Sequence, residues 1–193
     1  MSRFAVLDTE TTWDDDLMSI GVVIADDSDF TEIESIYYVI DPVYKRGGMY
    51  SGELVLKNAK PLVATREKAL KAVEKLLDKY AITVVLAYNA CFDQKHLSEI
   101  SAYEWLDIMK VAAYKQHNKK IPAWADCHGT GRLKCDYGVE PMMQLLSGKA
   151  RYCETHNALQ DAKDELTIVK LLGYPVEYYR TTQVVQKASR QRT

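Results

Sequence analysis

The hydrophobic pattern of the chain begins with three segments that predict strands. Residues 3 to 8 contain the uninterrupted apolar run FAVL, which is typical of a strand buried on both faces. Residues 18 to 25 and 34 to 40 are rich in β-branched and aromatic residues, and the polar stretch DDSDF separates them. We expect these segments to pair as consecutive antiparallel strands.

Helical periodicity appears next, at residues 66 to 80, where Thr65 can cap the first turn. The stretches 42 to 64 and 118 to 138 lack a clear period and are expected to be loops. The remaining pattern predicts a strand at 82 to 88, a helix at 92 to 100, a short strand and a helix within 105 to 117, and helices at 139 to 147 and 157 to 172.

Strands that come first and then alternate with helices favour an α/β fold. We expect a mixed five-stranded sheet flanked by helices, with strands 1 to 3 antiparallel and strands 4 and 5 parallel. Residues 1 to 179 form the predicted domain. Residues 180 to 193 contain Arg180, Lys187, Arg190 and Arg192 but no acid, and are expected to be a flexible basic tail.

Composition narrows the class of protein. The chain has 193 residues, 47% of them apolar, and a formal net charge of −2, which argues against binding nucleic acid by bulk positive charge. The sequence shows neither a signal-peptide pattern nor an apolar stretch of membrane-spanning length, so we expect a cytoplasmic protein with no membrane partner.

The cysteines carry no CxxC spacing and are interpreted as reduced thiols of a cytosolic protein. Cys127, His128 and Cys135, with Cys153 as a further ligand, leave a structural zinc site open as an alternative. Four basic residues in the same part of the chain are candidate phosphate contacts, or simply a solvated basic loop: Lys119, Lys120, Arg132 and Lys134.

Candidate chemistry starts where the first strand ends. Asp8 and Glu10 stand two residues apart, so in a strand their side chains point to one face. Two adjacent carboxylates at the end of a buried strand repel each other, and a divalent cation removes the conflict. Oxygen ligands favour Mg²⁺ or Mn²⁺ over Zn²⁺. A pair of acids that simply points into solvent is the alternative.

Two later clusters complete the set of acids. Asp93 follows the predicted strand at 82 to 88, in the sequence NACFD, where sites of α/β proteins are built. His156 precedes the last long helix and Asp161 lies inside it, next to the apolar stripe. The neighbouring acids Asp164 and Glu165 are interpreted as part of a charged, solvated helix face.

The segments DTETT, NACFD and HNALQDA, in this order, resemble the DEDD superfamily of 3′→5′ exonucleases. The spacing of His156 and Asp161 is similar to that of the histidine subtype, called DEDDh, which includes proofreading exonucleases and ribonuclease T. The sister subtype has a tyrosine where this chain has Asn157. The resemblance extends over roughly residues 3 to 172 and implies a ribonuclease H-like fold with two-metal hydrolysis of phosphodiesters.

The resemblance also implies a role for each residue of the motifs. Asp8 would be shared by two divalent cations, Mg²⁺ or Mn²⁺. Glu10 and Asp161 would complete the site of the nucleophile-side cation, and Asp93 would serve the second one. His156 would be the general base. The expected substrate is the 3′ end of single-stranded nucleic acid, with DNA favoured over RNA and nucleoside 5′-monophosphates as products.

Substrate contacts are less well marked, because the chain departs from the family pattern near the site. Trp13 replaces a glycine common in relatives and either stacks on a terminal base or packs on the sheet edge. The usual His-Gly-Ile segment is absent from residues 42 to 64. The candidate contacts are Thr9, Thr11, Trp13, Met49, Tyr50, Asn89 and Phe92.

A hypothesis of a different class is a catalytically weak exonuclease-like scaffold that binds nucleic acid or docks on a polymerase or repair partner. Loss of a metal ligand would favour it, but all five expected positions are filled. A structural metal domain without turnover is the third possibility. His156 argues against it, because a structural site needs no base.

Overall fold

The computed structural model describes residues 2 to 182. Three of the basic residues assigned to the C-terminal tail, Lys187, Arg190 and Arg192, lie outside the described residues. Arg180 begins the 3₁₀ turn Arg180–Thr182 and forms an ion pair with Glu104 at 2.6 Å. In the described part of the chain, no helix combines the length and apolarity that crossing a membrane requires.

One mixed sheet organises the molecule, with the strand order β4-β3-β2-β1-β5-β6. Strands β1, β2 and β3 form the expected antiparallel meander, and β5 and β6 add to β1 in parallel. The strands are β1 (Arg3–Thr11), β2 (Leu17–Asp26), β3 (Glu32–Ile40), β4 (Leu62–Ala64), β5 (Val84–Ala87) and β6 (Glu104–Asp107). The predicted α/β class and mixed topology are confirmed.

The sheet has one strand more than predicted. Strand β4 pairs in parallel with β3 at the sheet edge, within the stretch expected to be irregular. Its three residues are too few to show a period of two, and Leu62 and Val63 are more than half exposed. Only the pairing with β3 identifies it as a strand.

Helices cover both faces of the sheet. They are α1 (Arg66–Lys79), α2 (Cys91–His96), α3 (Met109–Ala112), α4 (Val139–Ser147), α5 (Ala158–Leu172) and α6 (Val176–Tyr179). Helix α2 is shorter than expected, and the 3₁₀ turn Ser98–Ile100 follows it. Thr65 caps α1, as predicted, and Asn157 caps α5.

Strand β1 divides the core into two layers. Phe4 and Val6 belong to the layer beneath α4 and α5, whereas Ala5 and Leu7 belong to the layer beneath α1. Because side chains alternate along a strand, Asp8 continues the first set toward α5. The apolar run therefore fixes which face of the sheet receives the acids.

Gly21 lets helix α5 approach the sheet closely. Gly21 lies opposite Asp8 in the β1–β2 pairing, and a Cβ at position 21 would lie 2.2 Å from the carbonyl oxygen of Ala158. No side chain fits in that gap. The first turn of α5 therefore rests directly on the backbone beside Asp8, which brings Asp161 to the same place.

We predict that Gly21→Ala destabilises the protein, because the added methyl group forces α5 away from β2. The expected loss is about 1–3 kcal/mol in the free energy of unfolding, measured by urea denaturation. Gly52→Ala is the matched control, since a Cβ there meets nothing within 4 Å. Equal stability of the two variants would contradict the close approach.

Candidate active site

The parallel pairing of β1 and β5 brings two sequence-distant segments to one edge of the sheet. Ala5 pairs with Val85 and Val6 with Leu86, so both strands end at the same side. The chain beyond β5 leads to α2, which carries Asp93. Strand order reverses at β1, and such switch points are where open α/β sheets bind ligands.

Glu10, His156 and Asp161 converge at this edge. A ligand atom from each lies within 4.8 Å of the others. Glu10 comes from β1, Asp161 from the first turn of α5, and His156 from the residues just before α5. The structure thus brings together three of the five predicted catalytic residues in a group that can hold a metal ion.

Asp8 lies in the middle of the acidic group. Its Oδ2 atom is buried without a hydrogen-bond partner in the described part of the chain. Burial raises its pKa well above the usual range, and the charges of Asp93, Glu165, Asp161 and Glu10 raise it further. A buried carboxylate oxygen with no donor is the kind of atom that a cation satisfies.

Asp93 is held on the other side of β1 by Thr9. The Thr9 hydroxyl donates a hydrogen bond of 2.7 Å to Asp93 Oδ1, and both side chains are buried. Burial raises the pKa of Asp93 to about 7, although the bond from Thr9 opposes the shift. Thr9 is also a predicted substrate contact, and the bond to Asp93 engages its hydroxyl.

The interpretation of Asp164 and Glu165 as a solvated helix face is wrong. Asp164 is 9% exposed and Glu165 only 1%. Glu165 accepts a hydrogen bond of 3.0 Å from the Tyr88 backbone N–H, so it connects α5 to the end of β5. A sequence signal for this existed, because positions three and four after Asp161 share its helix face.

Asp164 belongs to a separate polar cluster. Its carboxylate accepts hydrogen bonds from the Tyr152 hydroxyl at 2.6 Å and the Gln160 amide at 3.1 Å. Burial raises its pKa, and the two donors oppose that shift. Asp164 in turn contributes to the raised pKa of Asp161.

Burial and neighbouring charges raise the pKa values of the acids of the site above those of ordinary carboxyl groups. Burial followed by the charge of Asp161 raises the pKa of Glu10 to about 8. Burial followed by the charge of Glu154 raises the pKa of Asp161 to about 8. Carboxylate oxygens that repel one another fit hard divalent cations such as Mg²⁺ or Mn²⁺, and one imidazole lies beside them.

His156 has an unusual backbone conformation. Its φ is 53°, in the left-handed region that residues other than glycine seldom occupy. The imidazole ring stacks on the phenol ring of Tyr50, with centroids 3.8 Å apart and an angle of 13° between the planes. The imidazole therefore lies beside Glu10 and Asp161 with one face covered by the Tyr50 ring.

A cleft of about 450 Å³ opens beside the acids. Trp13 and Met49, 68% and 66% exposed, lie on its rim with Phe92 and Asn89. Trp13 therefore does not pack on the sheet edge. The residues that line the cleft are Asp8, Thr9, Glu10, Thr11, Thr12, Trp13, Asp15, Met49, Tyr50, Tyr88, Asn89, Phe92 and Asp93. Every candidate substrate contact from the sequence is in this set.

The turn that follows Trp13 is held by contacts with two different segments, one at Arg46 and Gly47 and the other at His96. Asp16 pairs with Arg46 at 2.6 Å, and Asp15 accepts a bond of 2.9 Å from the His96 ring. The Trp13 backbone N–H donates to the Gly47 carbonyl at 3.3 Å. Trp13 is exposed, but its backbone binds Gly47, and the next residues of the turn bind Arg46 and His96.

The open alternative of a zinc site has no geometric support. Within the described part of the chain, Cys127, His128, Cys135 and Cys153 do not form a group with donors within 4.8 Å of one another. All of these thiols are free.

The candidate phosphate contacts lie in the same loop. Lys119 and Lys120 are exposed there.

Comparisons with known proteins were made from the sequence and from the fold. No family model and no curated protein matches the sequence. Solved structures do match the fold. The nuclease domain of 3′hExo, a DEDDh family member bound to rAMP, aligns with 96% of this chain and 97% of its own length, at a TM-score of 0.63 and 13% identity.

Two further structures agree. A 3′-exonuclease that recognises the histone mRNA stem-loop aligns over 87% of this chain and 80% of its own, at a TM-score of 0.61 and 14% identity. E. coli Exonuclease I in complex with a dA16 oligonucleotide aligns over 94% of this chain but 42% of its own, at a TM-score of 0.59 and 16% identity. The chain therefore has the ribonuclease H-like fold of DEDDh exonuclease domains, and the predicted resemblance is confirmed at the level of fold.

We predict that the metal-free protein loses stability as the pH rises. Glu10 and Asp161 have pKa values of about 8 in the folded state, far above their unfolded values. Between about pH 4 and pH 8 the folded state therefore binds more protons than the unfolded state, so the free energy of unfolding falls with pH. In EDTA, the Tm should be lower at about pH 8 than at about pH 5, and Mn²⁺ should raise it more at the higher pH.

Glu10→Gln should flatten this pH dependence in the same Tm measurement, because it removes one of the shifted groups. Glu67→Gln is the control, since Glu67 is an exposed acid on α1. A Tm that stays constant or rises with pH in EDTA would contradict the electrostatic account.

Proposed function

We propose that this protein is a metal-dependent 3′→5′ exonuclease that hydrolyses the terminal phosphodiester of single-stranded nucleic acid and releases nucleoside 5′-monophosphates. The observation that carries the proposal is the convergence of Glu10, His156 and Asp161 within 4.8 Å, beside Asp8. This group lies at the switch point of a fold shared with 3′-exonuclease domains.

Two divalent cations, Mg²⁺ or Mn²⁺, fit the donor set. Asp8, Glu10 and Asp161 would hold the nucleophile-side cation, and Asp93 would serve the other together with Asp8. When bound, the cations offset the carboxylate charge and make the attacking water more acidic. The orphaned Oδ2 of Asp8 supports this assignment, because no protein donor satisfies it in the described residues.

His156 is proposed to accept the proton of the attacking water. Imidazole nitrogen is a proton acceptor at neutral pH, and the ring is adjacent to Glu10 and Asp161. Asp93 and Thr9 act as a unit in which the threonine hydroxyl orients the carboxylate. The proposed base thus lies beside the carboxylates that would hold the nucleophile-side cation.

The cleft supports a single-stranded substrate end. Its rim is formed by exposed Trp13, Met49 and Phe92, which can contact unstacked bases without reading their sequence. The acids at its floor repel phosphate unless cations are present, so substrate binding is expected to depend on the metal. DNA is the favoured substrate class, RNA the second, and the proposed location is the cytoplasm.

We predict that the purified protein with Mn²⁺ or Mg²⁺ shortens a 5′-labelled single strand from its 3′ end, and that EDTA abolishes the reaction. Asp8→Asn should eliminate turnover, because the shared carboxylate is lost. His156→Ala should reduce kcat by about 10²–10⁴-fold, the range of general-base contributions. Glu67→Gln should retain the full rate.

The same assay on matched DNA and RNA oligonucleotides, single- and double-stranded, decides the substrate class. Products from the 5′ end, or activity that resists EDTA, would falsify the mechanism. Metal-dependent binding without cleavage would instead support the scaffold hypothesis.

We predict that Trp13→Ala weakens substrate binding and leaves chemistry unchanged. Base–aromatic stacking contributes about 1–3 kcal/mol, so KM for a single strand should rise about 5- to 150-fold with little change in kcat. Trp124→Ala is the matched control, because Trp124 is 86% exposed and does not line the cleft beside the acids. An unchanged KM would exclude stacking by Trp13.

A further inference from the structure

The imidazole of His156 lacks the polar contact that usually orients a catalytic histidine. Within residues 2 to 182, no hydrogen bond of 3.5 Å or less joins its ring nitrogens to a protein partner. Glu10 and Asp161 lie nearby, each with a ligand atom within 4.8 Å of one on the imidazole. Rotation of the ring about its side-chain bonds is therefore not restricted by hydrogen bonding.

Among the described residues, the aromatic ring in contact with this imidazole is that of Tyr50. The two planes differ by 13° and the centroids are 3.8 Å apart, which is a close face-to-face stack. Tyr50 also lies beside the acids, since the charges of Glu10 and Asp161 add to the effect of burial in raising its pKa. The phenol ring thus covers one face of the imidazole at the site itself.

The loop that carries Tyr50 is tied to the residue that follows His156. The Asn157 side-chain amide donates a hydrogen bond of 2.6 Å to the Glu53 carbonyl and one of 3.0 Å to the Tyr37 hydroxyl. The Tyr37 hydroxyl donates in turn to the Leu54 carbonyl at 3.0 Å. Asn157 is fully buried and also caps α5. The base and the loop that covers it are therefore held by one residue.

The other end of the loop rests on β1. A Cβ at Gly48 would lie 2.4 Å from the Thr11 carbonyl oxygen, so the loop touches the strand that carries the acids. The Ser51 hydroxyl donates to the Gly48 carbonyl at 2.7 Å and closes the turn around Tyr50. Tyr50 is consequently presented from a segment fixed at both sides, which is what a positioning contact requires.

We propose that Tyr50 is a positioning residue for the general base: its stacked ring sets the orientation of the His156 imidazole toward Glu10 and Asp161. The inference rests on the proposed function for its catalytic consequence. The sequence indicated Tyr50 only as a substrate contact, and the structure adds an action through His156. The two roles make different kinetic predictions.

We predict that Tyr50→Ala lowers kcat about 10-fold with KM within about twofold, because a misplaced base loses part of the general-base contribution. Tyr50→Phe should keep the wild-type rate, since the stack needs the ring and not the hydroxyl. Val55→Ala is the control, because Val55 is an exposed residue of the same segment that does not line the cleft. Circular dichroism checks that each variant is folded.

A double-mutant cycle separates action through His156 from direct contact with substrate. In the His156→Ala background, Tyr50→Ala should cause no further loss of kcat. If Tyr50→Ala reduced kcat by the same factor in both backgrounds, or raised KM alone, the proposal would be overturned in favour of a substrate contact.

NMR gives a readout that does not depend on activity. The ring protons of His156, assigned by comparison with His156→Ala, should show a ring-current shift that Tyr50→Phe preserves and Tyr50→Ala removes. If the wild-type protein cleaves no nucleic acid, the proposed function fails, but this spectrum still tests the stack. Unchanged His156 resonances in Tyr50→Ala would refute the positioning role.

Discussion

Mutual repulsion among buried carboxyl groups is the constraint on which the site depends. Asp8, Glu10 and Asp161 come from two different elements and meet at the end of the central strand, where burial and neighbouring charge raise the pKa of each. This arrangement is unfavourable for the metal-free protein, and the buried apolar run Phe4 to Leu7 of the same strand holds it in place. In the proposed metal-dependent enzyme, the repulsion that costs stability without metal would favour the binding of divalent cations.

Close backbone contact between β2 and α5 fixes where these carboxyl groups lie relative to one another. Gly21 stands opposite Asp8 and leaves no space between β2 and the first turn of α5. Helix α5, which carries Asp161, therefore packs directly on the strand pair that carries Asp8. Thr9 and Glu165 act similarly from the sides, one by binding Asp93 and the other by binding the backbone beyond β5. The site is thus supported by residues whose own contacts are buried.

Agreement between sequence and structure is best where an element has a strong local pattern. The apolar run before Asp8 and the amphipathic period of α1 and α5 predicted their elements correctly, and the sheet topology followed from their order. Asp164 and Glu165 were misassigned because charge was taken as a sign of exposure, although helical spacing places both on the face of Asp161. Strand β4 was missed because three residues carry no period, and its partner is distant in sequence.

The sequence by itself determined five of the six strands of the described sheet, the fold class and the five residues expected to do chemistry, because side-chain alternation, helical period and motif spacing are local properties of the chain. Only the tertiary structure decided which of them meet. Three contacts show this: Thr9 binds Asp93, α5 packs on Gly21, and Tyr50 stacks on His156. Each of them joins residues that are 84 or more positions apart in the sequence. Such contacts depend on how the elements pack, and no local pattern encodes the distance between two side chains that meet only after the chain has folded.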